Sequence, residues 1–145
     1  MKNISEQIKF IINLAKTHSV LVKRFDSGLG NGLGFNEFLI LFHLNQSPEG
    51  KMRRIDLAEK IGITASGITR LLLPMEKIGL VKSDANSVDA RVKFVLISKS
   101  GQEKINETQE RFDDLIEEIL KPINKEELNK LSKSLVEIGG KILMN

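Results

Sequence analysis

Residues 54–72, RIDLAEKIGITASGITRLL, decide the fold. Two short helices that cross steeply through a tight turn must meet at a small residue, and Ala58 supplies it. Four residues on, the turn favours a left-handed backbone, which glycine adopts without steric cost, and Gly62 stands there. Ten residues after Ala58, Ile68 brings the branched apolar side chain that fills the crotch. Leu57, Ile61, Ile63 and Leu71 complete a small core. Thr64 is placed to cap the second helix, which runs to about Ile78. This is the residue pattern of a helix-turn-helix. Any corner between helices has similar needs, so the flanking segments decide what the unit is.

On the C-terminal side, Gly79 suits the left-handed residue that follows a helix. Leu80–Ser83 and Arg91–Ile97 predict two strands joined by the polar loop DANSVDA at 84–90, which makes the unit winged. In the second strand Val92, Phe94 and Leu96 alternate with Arg91, Lys93 and Val95, so their face is predicted to be wholly apolar. On the N-terminal side, Phe35 to about Asn45 predicts an apolar helix ended by SPEG at 47–50. Ile4 to about Phe25 predicts a helix apolar on more than one side, which needs more than one surface to pack on. SGLGNGLG at 27–34 breaks it and reads as a mobile connector. Beyond the wing, Ser98 caps a helix striped with Ile105, Thr108, Phe112, Leu115, Ile116 and Ile119 and stopped by Pro122. Asn124 and Glu127 open a last helix. Its Leu128, Leu131, Leu135, Ile138 and Ile142 form a narrow seam of the kind one helix presents to another. The predicted class is mainly α with a small β-hairpin wing (α+β). A winged helix-turn-helix lobe occupies 35–98, between terminal helical segments at 1–34 and 99–145.

The chain has 145 residues, 28% charged and 41% hydrophobic, in the range of a folded globular domain. With no Cys and only His18 and His43, thiol chemistry is excluded and metal or acid–base chemistry has little to work with. No apolar run approaches the roughly 20 residues of a bilayer span, and MKNISEQIKF lacks the apolar core of a secretion signal. A cytoplasmic protein with no membrane partner is expected. The acids of DDLIEE at 113–118 read as a solvated helix face. The glycines at 28, 30, 32 and 34 alternate and so miss the G-x-G-x-x-G nucleotide pattern. We expect no catalytic residues, no metal site and no cofactor. Net charge of +3 hides an asymmetry: 50–100 carry ten basic and five acidic residues, whereas 101–145 carry seven and ten. The central excess favours an anionic partner such as a phosphate backbone.

LAEKIGITASGITRLLLPMEKIGLV at 57–81 and DARVKFVLISKSG at 89–101 resemble the MarR family of bacterial transcriptional regulators. That family's wing carries an Asp, one residue, an Arg, then a strand ending in Leu-Thr before a helix and a Gly. Asp89, Arg91, Leu96 and Gly101 hold those places, with Ser98 where Thr is usual. The resemblance implies a homodimer joined by the terminal helices, each lobe reading half of a pseudo-palindromic site in double-stranded DNA, and acting as a repressor. It also implies a small phenolic or anionic effector bound between the dimer helices and the lobe. Phe10, His18, Phe38, Phe42 and His43 are the candidates to line that pocket, core packing being the alternative for each.

In such a lobe the start of the second helix enters the major groove, which nominates Thr64, Ala65, Ser66, Thr69 and Arg70. Arg70 is the one long donor among them and suits guanine O6 and N7. Arg53 and Arg54 suit backbone phosphates. Arg91 resembles the family's wing arginine, which enters the minor groove, and Asp89 is placed to orient it. Lys93 adds charge at the wing, or serves only as a solvated strand residue. Pro74 removes a hydrogen bond to the Arg70 carbonyl and predicts a bend in the recognition helix. Gly67 predicts close approach of a DNA backbone. The wing loop holds two acids and no base, which favours the alternative function, a winged-helix module for protein contacts without DNA binding.

Overall fold

The computed structural model describes residues 2–84 and 91–143. Among these residues six α-helices and three strands follow in the order α1 (Glu6–Gly28), α2 (Phe35–Gln46), β1 (Lys51–Arg53), α3 (Arg54–Ile61), α4 (Ala65–Lys77), β2 (Val81–Ser83), β3 (Phe94–Ile97), α5 (Lys99–Leu120) and α6 (Lys125–Leu143). Contacts divide the chain into two compact units, 1–112 and 113–145.

The helix-turn-helix forms as its residues dictate. Gly62 takes φ +79°, and its N–H and that of Ile63 both donate to the Ala58 carbonyl, at 2.9 and 3.0 Å. Ala58 and Ile68 are buried where the helices meet. Leu72, not Leu71, completes that core with no exposure at all, and α2 backs it with Phe38, Ile40, Leu41 and Leu44. Burying such side chains against one another is the main stabilising contribution, about 1.5–3 kcal/mol each. Helix α4 passes through Pro74 as one uninterrupted helix.

The wing departs from the sequence expectation in three respects. It is a three-stranded antiparallel sheet in the order β1-β3-β2, because Lys51–Arg53, just before α3, pairs with Phe94–Leu96. The last strand begins at Phe94, so Arg91 to Lys93 precede it. Its buried side chains are Val95 and Ile97, whereas Phe94 and Leu96 lie on the half-exposed face. Ile97 stands opposite buried Val81 in register, which turns that face into the core. Lys51 covers the other face, its Nζ 4.6 Å from the Phe94 ring centre and 2.8 Å from Asp84.

The glycine segment is not the free connector that its composition suggests. Leu29 and Leu33 are buried, and Asn31 donates to the Thr108 hydroxyl on α5 at 2.7 Å. Phe25, Phe35, Phe38 and Phe112 join this region by ring contacts, Phe38 and Phe112 with centroids 4.0 Å apart.

Helix α5 is anchored at its start. Ser98 Oγ accepts from the Gly101 N–H at 3.0 Å and donates toward the Leu80 carbonyl at 2.9 Å. A Cβ at Gly101 would run into that same carbonyl oxygen. Ser98→Ala removes a buried cap and leaves the Gly101 N–H without its acceptor, so we expect a loss of about 1–2 kcal/mol, read as a lower urea midpoint at unchanged slope. In the second unit, Asn124 Oδ1 caps α6 through the Glu127 N–H at 2.9 Å.

Candidate nucleic-acid interface

Helix α4 opens with a formed cap. Thr64 Oγ1 accepts from the Gly67 N–H at 3.0 Å and lies 3.1 Å from Ser66 Oγ. Thr69 donates its hydroxyl back to the Ala65 carbonyl at 3.1 Å, leaving its oxygen free to accept. A Cβ at position 67 would sit 3.1 Å from Thr64 Oγ1, a tight contact with the capping hydroxyl. Thr64, Ala65, Ser66, Thr69 and Arg70 are all exposed. Unfilled backbone donors and the positive end of the helix dipole therefore face solvent with hydroxyls around them, an arrangement suited to phosphate oxygens.

Beside this helix lies a cavity of about 410 Å³ lined by Arg53, Arg54, Ile55, Ala65, Ile68, Thr69, Arg91, Val92 and Lys93. Residues from three chain segments thus bring four cations around one concavity. Six of the ten residues nominated from the sequence line it. Thr64, which caps α4, and Ser66 and Arg70 on that helix are outside the lining, and Asp89 lies outside the described residues.

The four cations are not equivalent. Arg53 grips Asp56 with two hydrogen bonds, at 2.6 and 2.8 Å, on the surface. Hydrogen bonding by the Arg53 guanidinium holds the Asp56 carboxyl below its usual range. Such an exposed pair contributes little to stability, and Arg53 keeps N–H capacity for an incoming anion. Arg54 is instead drawn inward, its Nη2 2.9 Å from Glu76 Oε1 and 3.0 Å from Ser83 Oγ. Arg91 and Lys93 are exposed.

Sequence reasoning missed Ile55 and Val92. Ile55 is 64% exposed although it is a large apolar residue. The available signal was its place on α3 outside the sector of Leu57, Ala58 and Ile61 that faces the core.

The five residues nominated for an effector pocket are scattered among environments. Phe10 and His18 lie exposed on α1. Phe38 is fully buried in the ring stack, and Phe42 and His43 are half-buried on α2, meeting edge to face at 5.6 Å. Burial, and secondarily the charge of Lys60, pushes the His43 imidazole below its ordinary value of 6.5. Among the described residues no group of three or more His, Asp or Glu is arranged to hold a metal ion. No helix of the described residues is long and apolar enough to cross a membrane.

Residues 35–93 match the MarR family profile. An uncharacterized HTH-type transcriptional regulator of Bacillus subtilis, YdgJ, is 24% identical over 139 residues, which cover 95% of this chain and 82% of the relative. Sco3205, a MarR family transcriptional regulator from Streptomyces coelicolor solved in complex with DNA, shares the fold with a TM-score of 0.81 at 19% identity over 95% of this chain and 89% of its own. NadR, solved in complex with 4-hydroxyphenylacetate, has a TM-score of 0.78 at 24% identity over 96% of this chain and 98% of its own. The cornered helix pair and the capped second helix beside the cationic groove fall within the segment that matches the MarR family, and the chain as a whole shares its fold with winged-helix regulators of that family.

Proposed function

We propose that the protein is a homodimeric repressor that binds a pseudo-palindromic operator in double-stranded DNA, acting in the cytoplasm. The observation that carries this is the cationic groove flanked by the open N-terminus of α4. A phosphodiester strand fits a groove of that size. Arg53, Arg91 and Lys93 neutralise its charge, while α4 projects Ala65, Ser66, Thr69 and Arg70 at base edges. Arg91, at the foot of the wing, reaches for the minor groove beside the helix site. The wing acid Asp84 is neutralised by Lys51, so it repels an approaching phosphate less than the loop composition suggests.

Dimerisation is supported by apolar side chains left uncovered on two helices. On α1, Ile8, Ile11 and Ile12 are 53–55% exposed, and on α6 Leu131, Leu135 and Val136 are 46–75% exposed. Such stripes on long amphipathic helices are what a second copy of the chain buries.

A small phenolic or anionic effector completes the proposal, with Phe10, His18, Phe38, Phe42 and His43 as the residues to probe. The bound 4-hydroxyphenylacetate of NadR supports that class of ligand. A protein-contact module is favoured by one observation, the exposure of Leu73 on α4 and of Ile78 just after it, at 54% and 72%.

Selection of bound duplexes from a random pool separates these readings. Enrichment of a two-fold-related sequence supports the operator reading, and retention of no duplex at low salt leaves the protein-contact module. Within an enriched site, Arg70→Ala is expected to relax preference at one base pair, at a cost of about 1–3 kcal/mol. Equal weakening on every sequence would assign Arg70 to phosphate.

A further inference from the structure

Arg54 occupies a junction that its place in the sequence does not reveal. Its backbone N–H donates to the Lys93 carbonyl at 2.8 Å, tying the start of α3 to the residue that leads into β3. Its guanidinium crosses to the far half of α4, where Nη2 donates to Glu76 Oε1 at 2.9 Å, and to the end of β2, where it donates to Ser83 Oγ at 3.0 Å. Ser83 closes the triangle by donating to the same Glu76 oxygen at 2.6 Å. Arg54 and Glu76 keep only 18% and 27% side-chain exposure. One residue therefore links both helices of the helix-turn-helix to β2 and to the residue that precedes β3.

We propose that Arg54 is a positioning residue. Through Glu76 and Ser83 it holds the wing at a set angle to the recognition helix, and it is not one of the phosphate contacts. The inference rests on the DNA-binding reading above and assigns this cation a different part in it. A charge-assisted pair with restricted solvent access is stronger than an exposed one, and it already satisfies the carboxylate that a phosphate would have to displace. Reading major and minor groove together requires a fixed distance between Arg70 on α4 and Arg91 at the wing. The Glu76–Arg54–Ser83 triangle is a polar tie between α4 and the exposed end of β2, added to the packing of buried Val81 at the other end of that strand. Short strands of three and four residues hold little rigidity of their own.

Glu76→Ala tests this through the sign of its effect. The variant removes an acid and frees a cation beside the groove, so electrostatics alone would tighten duplex binding. A positioning role demands the opposite. We expect affinity for a selected duplex to fall about tenfold, as for loss of a charged hydrogen bond, with minor-groove protection at the wing lost and major-groove protection kept. In the DNA-free protein, amide exchange at 81–83 and 94–95 should accelerate about tenfold while the buried amides of α2 keep their wild-type rates. Ser83→Ala should reproduce both effects more weakly. Unchanged exchange in Glu76→Ala, or duplex binding equal to or tighter than wild type, overturns the proposal. If the wild-type protein binds no duplex, the DNA reading is lost, and the exchange arm still decides whether the triangle holds the wing.

Discussion

Glutamates in place of Ile8 and Ile11 are expected to leave a folded monomer that binds operator DNA at least about a hundredfold more weakly. Both side chains are more than half exposed on α1, so neither supports the core, and a charge there costs the single subunit little. In a dimer the same positions bury against the partner, where unpaired carboxylates are strongly unfavourable. The two half-sites then have to be bound independently, and the gain from linking two weak contacts disappears. Light scattering should report a mass near 16.3 kDa in place of twice that value, with the helical circular dichroism retained. A double variant that remains dimeric, or a monomer with undiminished affinity, contradicts the assignment of these residues to the subunit interface.

The second large effect concerns stability. Phe38→Ala is expected to cost about 3–5 kcal/mol, a large part of the 5–15 kcal/mol that holds a domain folded. Phe38 is fully buried, stacks on Phe112 at 4.0 Å and reaches Phe42 at 6.3 Å. The ring links the helix behind the helix-turn-helix to α5. Urea unfolding of the variant should show a midpoint lowered in proportion. If Phe38 instead lined an open effector pocket, its removal would cost less than about 1.5 kcal/mol, since a ring already in contact with solvent loses little packing.

The helix-turn-helix was legible because its constraints are local. Ala58, Gly62, Thr64 and Ile68 each answer a steric or hydrogen-bonding need set within a few residues, and the caps at Ser98 and Asn124 are of the same kind. What escaped depends on residues far apart in sequence. Strand β1 is three residues long and carries no alternation, and only its partner Phe94–Leu96 makes it a strand. The inward face of β3 was misread because FVLI is apolar at both parities, so only Val81 opposite Ile97 decides between them. The hydrogen bond from Arg54 to Glu76, 22 positions later, leaves no trace in the local sequence. The glycine segment reads as loose because its composition says nothing of Thr108 and Arg111, against which Asn31 and Gly30 lie. Among the site residues, the groove collected Arg53, Ala65, Thr69, Arg91 and Lys93 from segments that the charge distribution had already singled out.

The central claim is that this groove and the start of α4 hold a duplex by neutralising its phosphates. Its most direct measurement is the salt dependence of binding to a selected operator, followed by fluorescence anisotropy. With Arg53, Arg91, Lys93 and the α4 terminus of two lobes engaged, raising salt from about 50 to 200 mM should weaken binding by a factor of about 10³–10⁵. Affinity that stays level across that range, or no saturable binding at the lower salt, would contradict the account.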